Sequence, residues 1–422
     1  MADKNRVFFV IDMKSFFASV ECAERGLDPF ETNLVVADEA RTKGTVCLAI
    51  TPKMKSLGVK NRCRLFEIPA SIEYIVAKPR MKKYIEYAAK IYEIYLKYID
   101  KNDIHVYSID ECFIDVTSYL KLYKMKAKEF ANKLMAEIRD RLGIPSSVGI
   151  GTNMFLAKIA LDITAKHAVD RIGWLDEEKF KKELWHHTPI TDFWSISTGT
   201  EKRLSKFAIF TMYDLAHFES TELLYKEFGI NAELLIDHAW GRETCLISDI
   251  KNYKRKSISF SSSQILPCAY MHDKAKLVLK EMIQTGCYNL ARHGYVTNHV
   301  HVFVVYQGDK KESVKASVTM REVTNAYSII VKYVEKMFDN IVDKTKEIRK
   351  LGYDFSSLMT VEQEQYDFFT DIGKIDKEKK IVESVIKLQD KYGKNAVLRG
   401  MDLEQGATQK DRNALIGGHN GE

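Results

Sequence analysis

Proline is scarce in this 422-residue chain, seven in all, which argues against long Pro-rich linkers. Cysteine is as thin. The seven, Cys22, Cys47, Cys63, Cys112, Cys245, Cys268 and Cys287, are scattered with no Cys-x-x-Cys spacing, so neither a disulfide framework nor a zinc site is supported. Long apolar runs are missing too. Nowhere do 18 apolar residues stand together, and the amino end "MADKNRVFFVIDMK" has only five before Asp12. Neither a signal peptide nor a membrane span is expected, and the chain reads as soluble and cytoplasmic. No internal repeat is evident.

What is present is the composition of a globular protein, 45% hydrophobic and 29% charged. The length exceeds one ordinary core and suggests about two to four domains. Net charge is +6, unevenly spread: residues 251–350 hold 18 Lys/Arg against 9 Asp/Glu, or +9, leaving −3 for the rest. A basic segment beside a mildly acidic body is the footprint of a polyanion contact.

Patterning divides the chain further. "RVFFVID" (6–12) reads as a buried strand ending in an acid, and "SFFASVECAER" as a helix with Phe16, Val20 and Ala23 on one stripe. Short strands and a small helix occupy 33–70, a helix follows to Asp100, and "VYSIDECFIDV" (106–116) reads as a hairpin. An amphipathic helix, the strand "SSVGIGTN" and the helix "MFLAKIALDITAK" complete the order of an α+β, ferredoxin-like split βαβ core with an insertion. Gly149-Ile150-Gly151 reads as a turn or a close backbone approach, since no Gly-Lys-Ser/Thr follows. Residues 180–245 read as helical, with a helix-hairpin-helix. "KNYKRKS" (251–257) reads as a tether to a second, smaller α+β domain. The last stretch of about 70 residues is charged and expected to be partly irregular.

The hairpin raises a chemical question, because Asp110 and Glu111 stand where a tight turn normally carries Asn-Gly or Asp-Gly. In a split βαβ sheet the first strand lies beside that hairpin, so Asp12, Asp110 and Glu111 can converge at one end. Their repulsion is relieved by divalent cations, and hard oxygen ligands suit Mg²⁺. Two such ions about 4 Å apart activate an attacking 3′-hydroxyl and stabilise a leaving pyrophosphate.

"IDMKSFFASVE" (11–21), "YSIDECFIDV" (107–116) and "SVGIGTNMFLAKIALDITAK" (147–166) together resemble the Y-family translesion DNA polymerases over residues 6 to about 345. The tail "YGKNAVLRGMDLEQGATQKDRNALIGGH" (392–419) is similar to that of the UmuC-like branch of Gram-positive bacteria. The resemblance implies a template-directed DNA polymerase of low fidelity, without proofreading, which uses two Mg²⁺ ions to join dNTPs to a primer. It implies a palm at 1–32 and 81–179, small fingers at 33–80, a thumb at 180–245, a little finger at 256–345 and a tail at 346–422. Asp12, Asp110 and Glu111 would be catalytic and, with the Met13 carbonyl, metal-binding. Ser15, Phe16, Lys55 and Lys166 would meet the triphosphate. Phe17 would be the steric gate against ribose, and Leu48 and Ala49 a small roof over the nucleotide.

Departures from the family pattern are also visible. Pro52 and Lys55 stand where the family often has Tyr and Arg, and lysine lacks the bidentate fork. Ser195 and Ser197 replace the usual thumb glycines. The pair His186-His187 reads as structural, since adjacent side chains do not face one another on a helix. His299, His301 and Phe303 share a strand face that is either solvated or turned to DNA. Gln365, Tyr366, Asp367, Phe368 and Phe369 resemble the peptides by which bacterial polymerases hold the sliding clamp, beyond which a monomer is expected. Two rivals fit the same residues: a nucleotide cyclase on the same sheet, and a catalytically silent DNA- and clamp-binding regulator.

Overall fold

Four consecutive buried apolar residues, Phe8 to Ile11, need cover on both faces, and they find it in the middle of a five-stranded sheet. The computed structural model describes residues 6–38, 44–166, 168–255, 257–308 and 312–421. They form two compact units, Met1–Tyr253 with His419–Glu422, and Lys254–Gly418.

In chain order the first unit begins with β1 (Phe8–Met13), α1 (Phe16–Ala23), β2 (Leu34–Val36), β3 (Ala49–Ile50), α2 (Pro52–Ser56) and β4 (Ile75–Ala77). Next come α3 (Met81–Leu96), β5 (Ile104–Val106), β6 (Glu111–Asp115), α4 (Thr117–Tyr123), α5 (Ala127–Leu142), β7 (Ser146–Gly151), α6 (Met154–Ile159) and β8 (Ile172–Leu175). The main sheet runs β5-β6-β1-β7-β8, with β1 antiparallel to both neighbours and β8 parallel to β7. That is the split βαβ order with one strand added at an edge. Phe8 and Val10 pack with Phe113, Met154 and Ala157 on one face, while Phe9 meets Phe130 of α5 on the other.

Glycine explains how closely α6 sits on this sheet. A Cβ at Gly149 would lie 2.0 Å from the Ala157 carbonyl oxygen, and one at Gly151 would lie 2.2 Å from the Ala157 nitrogen. Of the two readings for Gly149-Ile150-Gly151, the close approach is the observed one. Helix α6 continues as a π-helical turn, Ala160–Thr164, a widening that often accompanies functional sites.

The insertion forms its own small sheet, β3-β2-β4, over a core that includes Val35, Ile50 and Met54. The sulfurs of Cys47 and Cys63 lie there 3.9 Å apart as free thiols. A helical region follows: α7 (Glu177–Leu184), α8 (Thr198–Leu204), α9 (Met212–Ala216), α10 (Thr221–Phe228), α11 (Asn231–Ala239) and α12 (Ile247–Asn252). Its start is locally encoded, since the Asp176 side chain caps α7, acids fill the first turn and lysines the last. Ser195 takes the left-handed backbone, φ 73°, that glycine would supply, and the Ser197 hydroxyl caps α8.

The second unit contains β9 (Phe260–Tyr270), α13 (His272–Arg292), β10 (Tyr295–Tyr306), β11 (Ser313–Thr324), α14 (Tyr327–Ile341), β12 (Ile348–Ser356) and α15 (Ile372–Tyr392). Its sheet runs β11-β10-β12-β9, with α13 and α14 packed on one face. One expectation is corrected here. The little-finger boundary at 345 falls short, because β12 is an interior strand of that sheet. The tail, expected to be partly irregular, includes a helix of 21 residues, α15. A second anchor lies beyond it, where the backbone N–H groups of Thr408 and Gln409 donate to the buried carboxylate of Glu281 at 2.9 and 3.1 Å.

Candidate active site

Strand β1 delivers Asp12 to the end of the sheet, directly opposite Glu111 in the register with β6. Residues opposite one another on paired strands project to the same face, so these two carboxyl groups are neighbours. Asp110 lies one residue earlier, in the loop that joins β5 to β6. Its carbonyl accepts from the Met13 N–H at 2.9 Å, and its carboxylate accepts from the Ser108 hydroxyl at 2.6 Å. The acidic pair therefore closes the hairpin loop and starts β6, and Trp194 steadies the loop by donating to the Tyr107 hydroxyl at 3.2 Å.

Glu111 has a partner that sequence reasoning missed. Lys158, buried on α6, places its Nζ 2.8 and 2.9 Å from the two Glu111 oxygens and 3.1 Å from Asp162. The Lys158-Asp162 spacing of four on a helix was a visible signal, but the link to Glu111 spans 47 residues. Burial pushes the Asp12 carboxyl up to about 7, and the charges of Asp110 and Glu111 add to that rise. Burial also raises Glu111, against the pull of Lys158. For Lys158 burial acts downward, but Asp162 and Glu111 outweigh it and hold the ammonium above its usual range. Among the described residues, no three His, Cys, Asp or Glu side chains stand close enough to enclose an ion as they are now turned. The donor set nevertheless suits a hard divalent cation: carboxylate oxygens only, in a place where burial, with Asp110 and Glu111 adding to it, raises the Asp12 carboxyl to about 7.

Cations gather beside the acids. Desolvation holds Lys14 below the usual lysine range, helped by Arg171 and Lys166. Desolvation likewise lowers Lys55, helped by Lys14 and Lys166. Lys14 and Lys55 thus sense each other, Lys166 and Asp12. Lys14 was not singled out from the sequence. Pro52 is the first residue of α2, where the missing N–H is not needed, and so serves the helix start. Ser15 takes a left-handed conformation, φ 51°, and its buried hydroxyl lacks a partner. The Phe16 side chain is a correction to its expected place along the triphosphate: it is 2% exposed, in the core. Phe17 is half-buried, 4.6 Å from Tyr84 between ring centroids.

The remaining candidates separate clearly. His186 packs on Tyr213, whereas His187 bonds Asp192 at 2.8 Å, so the two rings serve different neighbours. On the open face of the second sheet, Lys315, Ser317, Thr319 and Arg321 of β11 are exposed beside His299, His301 and Phe303 of β10. Phe303 lies flat there because Gly352 has no Cβ, which would sit 2.6 Å from the ring, and Lys350 stands over it. Gln365 is tied to β11, exchanging backbone hydrogen bonds with Val323 at 2.9 and 3.0 Å. Tyr366 is held by Thr324 and Glu364, and Asp367 accepts from Thr370, while Phe368 and Phe369 project with 105% and 94% exposure.

Comparison with known proteins supplies independent findings. The chain matches the impB/mucB/samB family over residues 11–162 and the C-terminal domain of that family over residues 255–368. It is 32% identical to DNA polymerase IV 2 of Bacillus subtilis (strain 168) over 99% of both chains. It is 29% identical to DNA polymerase IV 2 of Halalkalibacterium halodurans over 98% of this chain and 99% of that relative. Among solved structures, a Y-family DNA polymerase chimera superposes with a TM-score of 0.63 at 19% identity, covering 84% of this chain and 99% of that one.

Proposed function

The chain belongs to the Y family of translesion DNA polymerases, and on that premise we propose that nucleotidyl transfer takes place where β1 meets β6. It is a DNA-directed DNA polymerase acting on primer-template DNA and dNTPs, a chemistry that generally depends on divalent metal. We assign the metal as two Mg²⁺ ions and their ligands as Asp12, Asp110, Glu111 and the Met13 carbonyl. The observation that carries this reading is the gathering of acids at one end of the sheet: Asp12 stands opposite Glu111, and the Asp110 carbonyl accepts from the Met13 N–H. Bound there, divalent ions would make the primer 3′-hydroxyl a better nucleophile and offset charge on the leaving pyrophosphate.

The chain's own residues have separate tasks in this reading. Lys158 keeps Glu111 turned and ionised. Lys14, Lys55 and Lys166 receive the triphosphate, together with backbone N–H groups at the start of α1, which have no acceptor within the helix. Phe17 lies under the sugar as the gate against ribose, with Leu48 and Ala49 as a small roof over the base. A shallow enclosure discriminates weakly among base pairs, which gives low fidelity. The open face of the second sheet grips the DNA backbone, and Phe368 and Phe369 dock into the sliding clamp, the polymerase otherwise being monomeric. A cyclase or a silent regulator is not favoured, given relatives named DNA polymerase IV. No described helix is long and apolar enough to cross a membrane.

Primer extension on a template carrying a defined lesion tests the assignment. Wild-type protein with Mg²⁺ should add nucleotides across the lesion. Asp110→Ala should bind primer-template normally and add none. Near-normal extension by that variant would remove Asp110 from the catalytic set.

A further inference from the structure

Helix α1 holds a carboxylate where no water reaches, since Glu21 is fully buried. An isolated charge there would cost several kcal/mol, so it must be matched. Arg80 meets it with two groups, Nε at 3.0 Å from Oε1 and Nη2 at 2.8 Å from Oε2. Arg25 adds a short contact to Oε2 and the Tyr84 hydroxyl donates to Oε1 at 2.8 Å. Burial acts to raise the Glu21 carboxyl, but the bonds from Arg80, Arg25 and Tyr84 outweigh it and hold the group below its usual range. This cluster includes none of the residues assigned to metal or triphosphate.

Its link to the reaction runs through an aromatic contact. Tyr84, on α3, is fully buried, and its ring meets Phe17 at 4.6 Å between centroids with the planes tilted by 34°. Phe17 and Glu21 are four residues apart on α1 and so share a face. Tyr84 is therefore fastened at its hydroxyl by one residue of α1 and pressed against another, one turn earlier. Phe17 has a second aromatic neighbour in Phe16, at 5.6 Å. Apolar contacts of this kind let rings slide, whereas hydrogen bonds to a charged group fix direction and length.

We propose that Glu21, Arg80 and Tyr84 form a backstop that sets the height of the Phe17 ring, which makes Tyr84 a positioning residue for sugar selection. The proposal rests on the reading of Phe17 as the gate and adds to it what holds the gate in place. Steric exclusion of one extra oxygen depends on a steep repulsive wall. A ring free to sink by a fraction of an ångström admits a ribose that a fixed ring rejects. Misplacement of about 1 Å in a reacting assembly can change rates by about 10²-fold, so a smaller slip moves selectivity by less but measurably.

Tyr84→Phe is the deciding variant, because it removes one oxygen and leaves the supporting ring. The measurement is kcat/KM for a ribonucleotide relative to the matching deoxynucleotide opposite the same template base, with the 2′-fluoro analogue as a substituent of intermediate size. The ratio should rise by roughly 3- to 10-fold, while the deoxynucleotide value changes by less than about twofold. The rise should be smaller for the 2′-fluoro analogue. A purely structural role would lower both rates together and leave the ratio fixed, so an unchanged ratio in Tyr84→Phe overturns the proposal. Glu21→Gln, folded by melting analysis, should shift the ratio in the same direction. Phe17→Ala serves as the control. If it raises the ratio and Tyr84→Phe does not, the backstop alone is wrong. If it leaves the ratio unchanged, the gate reading falls and the backstop with it.

Discussion

The two large sheets of this protein handle charge in opposite ways. In the first unit the sheet is covered on both faces, and its acids are gathered at one end, with Glu111 matched to a buried lysine. In the second unit helices cover one face only, and the other carries exposed Lys315 and Arg321 and half-buried Lys350 without comparable matching. Buried charge is directional and intolerant of change, because each group depends on a few fixed partners. Exposed charge on a flat face is redundant, and its effect is spread over many weak contacts and screened by salt. Chemistry calls for the first arrangement and a sequence-independent grip calls for the second.

The sharpest way to break the contrast is at Glu111. Glu111→Ala should lower extension by about 10³-fold or more and also destabilise the fold, by less than the roughly 3 kcal/mol of a fully unpaired buried charge, because Lys158 is left with Asp162 as its one partner. Adding Lys158→Met should restore most of the stability and none of the activity. Melting temperature and extension rate measured on the single and double variants separate the two effects. An active double variant would refute the role given to Glu111.

A milder effect is expected on the open sheet. Changing Lys315, Arg321 and Lys350 to Gln should reduce the slope of log binding constant against log salt by about one for each phosphate that is no longer neutralised. Stability should barely move, and extension at low salt should stay close to wild type. Point changes are the right probe, because truncation at 345 would remove β12 from the sheet. An unchanged slope in a titration of DNA binding would move the grip to another surface.

The least effect on synthesis itself is expected from the exposed pair after that sheet. Phe368→Ala with Phe369→Ala should weaken binding to purified sliding clamp by about 2 kcal/mol or more for each ring, while clamp-free extension is unaffected. Calorimetry with the clamp and a parallel extension assay read the two quantities. Full clamp affinity in the double variant would exclude the pair as its anchor.

Legibility in the sequence followed the range of the interaction. The first strand with Asp12 near its end, the hairpin acids and the amphipathic helices are local patterns, and they were readable. The stripe of Phe16 and Val20 already marked Phe16 as a core residue, and that local signal proved a better guide than its expected place along the triphosphate. Lys158 was not readable as the partner of Glu111, because nothing local ties residues 47 apart. Strand β12 was missed for a different reason. Leu351, Tyr353 and Phe355 alternate correctly, but an irregularity between Ile348 and Lys350 shifts the first residue out of phase and hides the strand among basic residues. The short cationic group around Lys14 depends on three separate elements and on burial, neither of which a linear pattern reports.

The distribution of the seven thiols has a practical use. Five are buried and Cys245 is partly covered, while Cys268, on β9, is exposed. A maleimide dye offered under mild conditions should therefore attach at Cys268 without any cysteine being removed. The second unit then carries a single optical reporter far along the chain from Asp12, suited to following DNA arrival in real time on an otherwise unaltered enzyme.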